Sequence, residues 1–170
     1  MPSPFLNNLD GLATVAAGIF SGTAFYTSSQ EVPAMRDLGL NEHWRFFPYM
    51  YHRAFVYQSA AGITAGVGSI IHGLRIVNSD FDQKLWIGVG ASFLALVPYT
   101  FIFMVPTNNA ICEDSKRVTE GGQSRFEIHQ RRDMLEKWSS MHLVRTVTSC
   151  AAFGVMVYAL ARHANLVFRQ

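Results

Sequence analysis

The sequence has few charged side chains and no basic residue before Arg36. Asp, Glu, Lys and Arg make up 15% of its 170 residues, against roughly a quarter in soluble domains. Its 14 Lys and Arg face 12 Asp and Glu, so the strong basic excess of a nucleic-acid-binding protein is missing, and we expect no nucleic-acid partner. Secretory signal peptides begin with basic residues and mitochondrial leaders contain arginines. We therefore expect neither, and the first apolar stretch should remain as a helix.

Cysteine is scarce, and the histidines are not spaced as metal ligands. Cys112 and Cys150 form no CxxC pair or zinc-binding pattern, which predicts two free thiols. None of the six histidines forms an HxxxH or ExxH pair on an expected helix. Transmembrane haem usually needs two axial histidines on facing helices, whereas the expected topology puts His72 and His142 at opposite ends. We therefore predict neither a metal nor a haem site.

Long stretches without charge dominate the rest of the chain. Four of them contain no Asp, Glu, Lys or Arg: residues 11–30, 54–74, 85–112 and 146–161. The last one reaches the length of the others when it is extended back to Trp138. About 20 predominantly apolar residues cross the hydrocarbon core of a bilayer. The alternative is a soluble four-helix bundle, which needs a polar stripe along each helix, and residues 15–25 and 93–105 offer none.

These stretches predict an all-α fold, an integral membrane four-helix bundle with a longer polar loop between the third and fourth helices. We expect a single domain over residues 1–170, with helices at about residues 11–30, 44–76, 83–108 and 130–166. Glycine pairs at 18/22 and 62/66 allow helices to approach closely in lipid. Gly121 and Gly122 mark the tip of the polar loop.

Basic residues are concentrated in the first and third loops of this bundle. The positive-inside rule therefore predicts that these two loops face the cytosol. With four spans, both termini then lie on the opposite side of the membrane.

Polar side chains interrupt the apolar helices in four places, and ionisable groups at membrane depth are costly enough to mark functional sites. The clusters are Tyr26 to Ala34 with Glu31, Trp44 to Gln58 with Arg53, Pro106 to Asn109, and Trp138 with His142 and Arg145. In the last cluster, spacings of four and three place all three side chains on one stripe of a helix. Each cluster also has a simpler explanation: a boundary carboxylate, an interfacial aromatic belt, amides that cap a helix, or an interfacial anchor with an ion pair.

All four clusters fall at the end of the bundle that carries the first and third loops. Polar groups that converge in an apolar site are the default hypothesis for a binding site. We therefore predict a site near the cytosolic face with these lining residues: Glu31, Arg53, Asn108, Asn109, Trp138, His142 and Arg145.

Taken in order, these motifs resemble those of the four-span membrane family that includes the fungal anthrone oxygenases. The matching elements are Tyr26…Glu31-x-Pro33-Ala34, Trp44…Tyr51-x-Arg53…Gln58, Pro106-x-Asn108-Asn109 and Trp138-x-x-x-His142-x-x-Arg145. They cover roughly residues 18–150, whereas the stretch from Cys112 to Met134 matches no part of the pattern. The resemblance implies a cofactor-independent oxygenase that turns an anthrone into an anthraquinone.

Such a reaction needs a base, an oxyanion stabiliser and a flat apolar slot, and the resemblance implies which residues supply them. His142 is the candidate base, since imidazole groups titrate near neutral pH. Asn108, Asn109 and Arg145 are candidates to stabilise negative charge that develops on oxygen. Trp138 is expected to stack on the polycycle.

The remaining polar residues of the motifs are expected to contact the substrate: Tyr26, Glu31, Arg53 and Gln58. Glu31 is also a candidate to pair with Arg53 or Arg145 and to orient it. The expected partners are the lipid bilayer and a small lipophilic substrate. The glycine pairs and short loops also favour a homo-oligomer or a larger membrane assembly.

A non-catalytic role is the alternative to an enzyme. The chain would then be a membrane subunit or a structural, lipid-binding four-helix bundle whose polar cluster fixes the register of the helices. A fully packed cluster would favour that role. A cavity lined by Trp138 and His142 would favour the enzyme.

Overall fold

The computed structural model describes residues 8–75 and 79–167, with side chains up to Arg162. Over these residues the chain is all-α. The helices are α1 (Leu9–Tyr26), α2 (Val32–Leu38), α3 (Leu40–Arg75), α4 (Asp80–Tyr99), α5 (Val105–Thr119) and α6 (Ile128–Val167). A π-helical turn at Thr27–Glu31 joins α1 to α2, and a second one at Thr100–Met104 joins α4 to α5.

The predicted all-α four-helix bundle is confirmed. Its four rods are α1 with α2, α3 alone, α4 with α5, and α6 alone. The rods are longer than the predicted helices. The first continues through its π turn to Leu38, and the third continues to Thr119. Pro33 and Pro106 do not end these rods, because each lies in the first turn of the helix that follows, where no backbone N–H is needed. The polar loop after the third rod is therefore confined to residues 120–127. Residue 76, the expected end of the second helix, lies outside the described residues.

Small side chains bring the four rods into close contact in one apolar cluster. Ala13, Ala17 and Ala65 are fully buried there, and the ring of Phe20 meets that of Phe93 edge to face at 5.6 Å between centroids. The closest approach is between α3 and α4, where a Cβ added to Gly90 would lie 2.7 Å from the carbonyl oxygen of Gly66. Only hydrogen fits between the two backbones at this point.

Replacing Gly90 with alanine is expected to destabilise the bundle, because the obstacle is backbone and cannot move aside. Overpacking of this kind costs about 1–3 kcal/mol. Gly88→Ala is the matched control in the same helix, since nothing lies within 4 Å of a Cβ at Gly88. The measurement is the midpoint of thermal unfolding in detergent. Equal midpoints for the two variants would contradict the close contact.

A second apolar cluster lies at the end of the bundle that carries the polar loop, and a buried carboxylate ties the loop to it. Asp114 is 1% exposed. It accepts hydrogen bonds from Trp44 Nε1 at 3.0 Å, Ser124 Oγ at 2.8 Å and the backbone N–H of Arg125 at 2.7 Å. The chain reverses at Gly121, whose φ is +88°, as the sequence predicts. The loop is therefore a fixed part of the structure.

Within the described residues, three helical stretches are long and apolar enough to cross a membrane: Leu40–Arg75, Asp80–Thr119 and Ile128–Arg162. The sequence predicts four, and the first rod is not among the three. Its apolar run, Leu9–Tyr26, is diluted by Asp10 and by several Gly, Ser and Thr residues. The membrane-compatible character of the bundle is confirmed, whereas the fourth span and the side that each loop faces stay predictions.

Candidate active site

A cavity of ≈ 250 Å³ lies among all four rods. Its walls come from both apolar clusters, with Phe20 and Phe93 from the first and Met50 and Met104 from the second, so it lies where the two clusters meet. Most of its lining is apolar. The exceptions include five residues of the predicted site: Gln58, Asn108, Trp138, His142 and Arg145. Its volume is just below the roughly 300–1,000 Å³ of small-molecule sites.

Arg145 supplies a positive charge without a carboxylate partner. Its Nη2 donates to Gln58 Oε1 on α3 at 2.8 Å, and its guanidinium lies 5.3 Å from the ring centroid of Phe20. Among the described residues no Asp or Glu forms an ion pair with it. Its Nε is buried and has no hydrogen-bond partner. A guanidinium in this setting attracts an anionic or strongly polarised oxygen atom.

Two further buried polar atoms in the cavity wall lack partners. They are Oδ1 of Asn108, a residue 2% exposed, and Nε1 of Trp138, a residue 4% exposed. Burial of a polar group without a hydrogen bond costs free energy, so such groups are few in folded proteins. With Arg145, three residues that line this cavity carry a buried polar atom without a partner among the described residues.

His142 is 3% exposed and is held on two sides. Its ring packs against that of Trp138, with centroids 5.0 Å apart and an interplanar angle of 30°. Its Nδ1 lies 3.0 Å from Ser28 Oγ and 3.5 Å from Thr146 Oγ1. None of the hydrogen bonds among the described residues uses its Nε2. The second ring nitrogen is therefore available to a molecule in the cavity.

The other predicted residues lie elsewhere. Tyr26, Glu31 and Arg53 line a separate groove of ≈ 520 Å³ between α1 and α3, and Gln58 lines both spaces. Arg53 is exposed because it lies five positions before Gln58, which turns it about 140° away around the helix. For the same reason Asn109, one position after Asn108, is exposed and lines neither space.

The predicted ion pair of Glu31 with Arg53 or Arg145 does not occur among the described residues. Glu31 instead accepts a hydrogen bond from Thr27 Oγ1 at 3.1 Å, within its own π turn. The orienting partner of Arg145 is the neutral amide of Gln58. The cavity therefore combines the cation of Arg145, which no described carboxylate pairs with, and the imidazole of His142.

Sequence reasoning missed the two π turns and the hydroxyls of Ser28 and Thr146. Both turns pack against α6 and both contribute to the cavity wall, through Thr27 in the first and Thr100 in the second. Each turn is followed by Val-Pro, at residues 32–33 and 105–106. Val-Pro alone does not mark a π turn, because a third Val-Pro, at residues 97–98, lies inside α4. The sequence therefore held no sufficient local signal for the two turns, although π turns often occur at functional sites.

The fold and the site define a helical, membrane-compatible protein. Its four rods surround a small cavity with mostly apolar walls and a few polar side chains. The chain belongs to the anthrone oxygenase family, whose model matches residues 47–155. The match contains the last two polar motifs and most of the second, and it confirms the predicted resemblance. The first motif, with Glu31 and Pro33, lies before the matched segment.

Individual relatives are distant but cover most of the chain. An anthrone oxygenase of Claviceps purpurea (strain 20.1) is 25% identical over 146 residues, which is 82% of each chain. Anthrone oxygenase AgnL2 of Paecilomyces divaricatus is 25% identical over 79% of this chain and 84% of its own. Anthrone oxygenase dmxR16 of Cryptosporiopsis sp. (strain 8999) is 22% identical over 79% and 75%. No solved structure matches the chain.

Possible metal ligands are dispersed. In the part of the chain whose side chains are described, no three His, Cys, Asp or Glu residues lie close enough together to hold a metal ion. Both cysteines are free thiols, as predicted. Independence from any cofactor stays a prediction.

Proposed function

We propose that this chain is a cofactor-independent oxygenase that converts an anthrone-type polycyclic substrate into the corresponding quinone inside the ≈ 250 Å³ cavity. The observation that carries the proposal is that His142, whose Nε2 no described residue engages, lines this cavity together with Trp138 and Arg145. The buried side-chain N–H groups of Trp138 and Arg145 have no hydrogen-bond partner among the described residues. A base and donors to oxygen are the groups that the reaction needs. The family membership supports the same chemistry.

The reaction balances without an external reductant. The central CH2 of an anthrone is acidic because its carbonyl and flanking rings delocalise the carbanion. Nε2 of His142 takes one proton, and the carbanion transfers electrons to O2 as a new C–O bond forms. The peroxide anion takes the proton back from His142 and becomes a hydroperoxide. The hydroperoxide then loses the second proton of that carbon together with hydroxide as its O–O bond breaks. That carbon becomes a carbonyl of the product, so one oxygen atom of O2 enters the product and the other leaves as water.

Arg145 is placed to stabilise the negative charge that moves to the substrate oxygen when the proton leaves. Among the described residues no carboxylate forms an ion pair with it, and its Nε–H has no hydrogen-bond partner there. In a largely apolar cavity such a preorganised donor is worth more than in water. Trp138 Nε1 is a second donor in the same wall.

The route into the cavity suits a lipophilic molecule. Part of its lining is at the same time exposed on the outer surface of α3, α4 and the second π turn: Phe55, Ile63, Val97 and Phe101. These residues lie in stretches that are apolar enough to cross a membrane. We therefore place the entrance between α3 and α4, facing the bilayer, so that the substrate arrives from lipid.

The alternative, a structural or lipid-binding bundle, has less support. A polar network that only fixes helix register gains from having every member hydrogen-bonded. Here three residues that line one cavity carry a buried polar atom without a partner among the described residues. This pattern favours a ligand site over a fully hydrogen-bonded structural network.

Oxygen uptake tests the proposal. Purified protein, stripped of metal with a chelator, is given a simple anthrone dissolved in detergent micelles, and quinone formation is followed by absorbance. We expect O2 consumption above the spontaneous rate, with one O2 used for each quinone formed. Micelles alone and heat-unfolded protein give the background. A rate equal to that background would sink the proposal and favour the structural role.

A further inference from the structure

Three side chains from two rods form a continuous chain of hydrogen bonds beside the cavity. Ser28 lies in the first π turn, and His142 and Thr146 lie one turn apart on α6. Ser28 Oγ is 3.0 Å from His142 Nδ1 and 2.8 Å from Thr146 Oγ1. Thr146 Oγ1 is also 3.1 Å from two backbone carbonyl oxygens, those of Ala24 and His142.

The two carbonyls favour one order of donors in this chain. A carbonyl oxygen only accepts, so two acceptors at 3.1 Å compete for the single hydroxyl proton of Thr146. Either hydroxyl can donate in the 2.8 Å contact between Ser28 and Thr146, and Ser28 is the donor there when Thr146 donates to a carbonyl. In that order the Ser28 oxygen accepts from His142, and the proton on the 3.0 Å contact belongs to Nδ1.

We propose that Ser28 and Thr146 are positioning residues that hold His142 in the Nδ1–H tautomer and so leave the Nε2 lone pair directed at the cavity. The partner of one ring nitrogen decides which nitrogen keeps its proton. The inference rests on the proposed function in one respect, namely that His142 acts as the base. Neither hydroxyl contacts the cavity substrate in this scheme; both act through the imidazole.

Ser28, whose hydroxyl contacts His142, lies within the π turn. Within the turn the backbone N–H of Val32 bonds to the carbonyl of Thr27, five residues back. The next serine along, Ser29, has a different environment, because its hydroxyl bonds to the carbonyl of Phe25 in its own helix at 2.7 Å. The chain therefore offers an adjacent serine as a matched control.

Imidazole ¹⁵N chemical shifts measure the tautomer directly and do not depend on turnover. In protein with ¹⁵N-labelled histidine, the His142 signals are assigned by their loss in His142→Gln. We expect a protonated Nδ1 and an unprotonated Nε2 in the wild type and in Ser29→Ala. Thr146→Val removes the acceptor for the Ser28 proton, which then turns to Nδ1, so this variant should change to the Nε2–H form. A wild type already in the Nε2–H form would overturn the inference.

Kinetics of the same variants separate a positioning role from a packing role. Ser28→Ala should lower kcat by about 10–100-fold, the usual effect of removing such an outer partner, with little change in KM. Ser28→Thr, which keeps a hydroxyl, should restore a large part of the rate, and Ser29→Ala should match the wild type. If Ser28→Ala and Ser29→Ala give the same kcat and the same ¹⁵N pattern, the inference is wrong.

The two proposals fail in different ways. An Nδ1–H tautomer that depends on Thr146, in a protein without anthrone turnover, would support the hydrogen-bond chain and overturn the proposed function. Anthrone turnover that depends on His142 but not on Ser28 would support the proposed function and overturn the positioning role of Ser28.

Discussion

Replacement of His142 by alanine is expected to lower kcat for anthrone oxidation by about 10²–10⁴-fold, the range that general base catalysis contributes. The side chain is 3% exposed, and its Nε2 is the ring nitrogen that no described residue engages. Without it, no other imidazole or carboxylate of the predicted site lines the cavity. The spontaneous reaction with oxygen should be all that remains.

The control for this variant is a histidine remote from the cavity. His129 is exposed and lies beside Glu127 at 3.1 Å, next to the polar loop, so His129→Ala should keep the wild-type rate. His142→Gln fills more of the space and guards against collapse of the site. Both His142 variants should unfold near the wild-type temperature if the loss is catalytic. Full turnover by a folded His142→Ala would remove His142 from the mechanism.

Replacement of Arg145 by leucine has the second-largest expected effect, a fall in kcat of about 10²–10³-fold, as for other oxyanion donors. Leucine removes the charge, the Nε–H donor and the contact of the guanidinium with the ring of Phe20. It also leaves Gln58 Oε1 without its 2.8 Å donor. Because the charge on the substrate oxygen develops with proton removal, kcat should suffer more than KM.

Two comparisons define this result. Arg132→Leu removes an exposed arginine from the same helix and should leave kcat unchanged. Arg145→Lys keeps the charge but has no planar guanidinium, so an intermediate rate is expected. The measurement is kcat and KM for anthrone oxidation by Arg145→Leu, Arg145→Lys and Arg132→Leu. A kcat unaffected in Arg145→Leu, with only KM raised, would assign Arg145 to substrate binding.

The sequence predicted well which residues of the fourth rod line the site, because all of them lie on one helix, α6. Trp138, His142 and Arg145 follow helical spacing, so their common face is fixed by local geometry, and all three line the cavity. Gln58 and Asn108 were found as members of the second and third polar motifs, which interrupt apolar runs. That signal is independent of how the rods pack.

Placement across rods was predicted less well. Arg53 and Asn109 belong to the same motifs as Gln58 and Asn108, but motif membership does not say which face of a helix a residue occupies. Glu31 was expected to pair across the site, whereas the π turn directs it to Thr27. The π turn packs against α6, which is distant in the sequence. A local pattern of apolar residues does not contain that information.

The close contact between Gly66 and Gly90 affects the size of the cavity, because it holds α3 and α4 together next to the cavity wall. Gly62 and Phe93, one turn away on α3 and α4, already belong to the cavity wall. The two backbones are in contact one turn from these residues, so the space between α3 and α4 depends on that contact as well as on the side chains that line the cavity. A larger residue at the contact strains the bundle, as expected for Gly90→Ala, and any relief of that strain changes the spacing of the two helices. A substitution at this contact can therefore alter the shape of the cavity while every group in its wall stays the same.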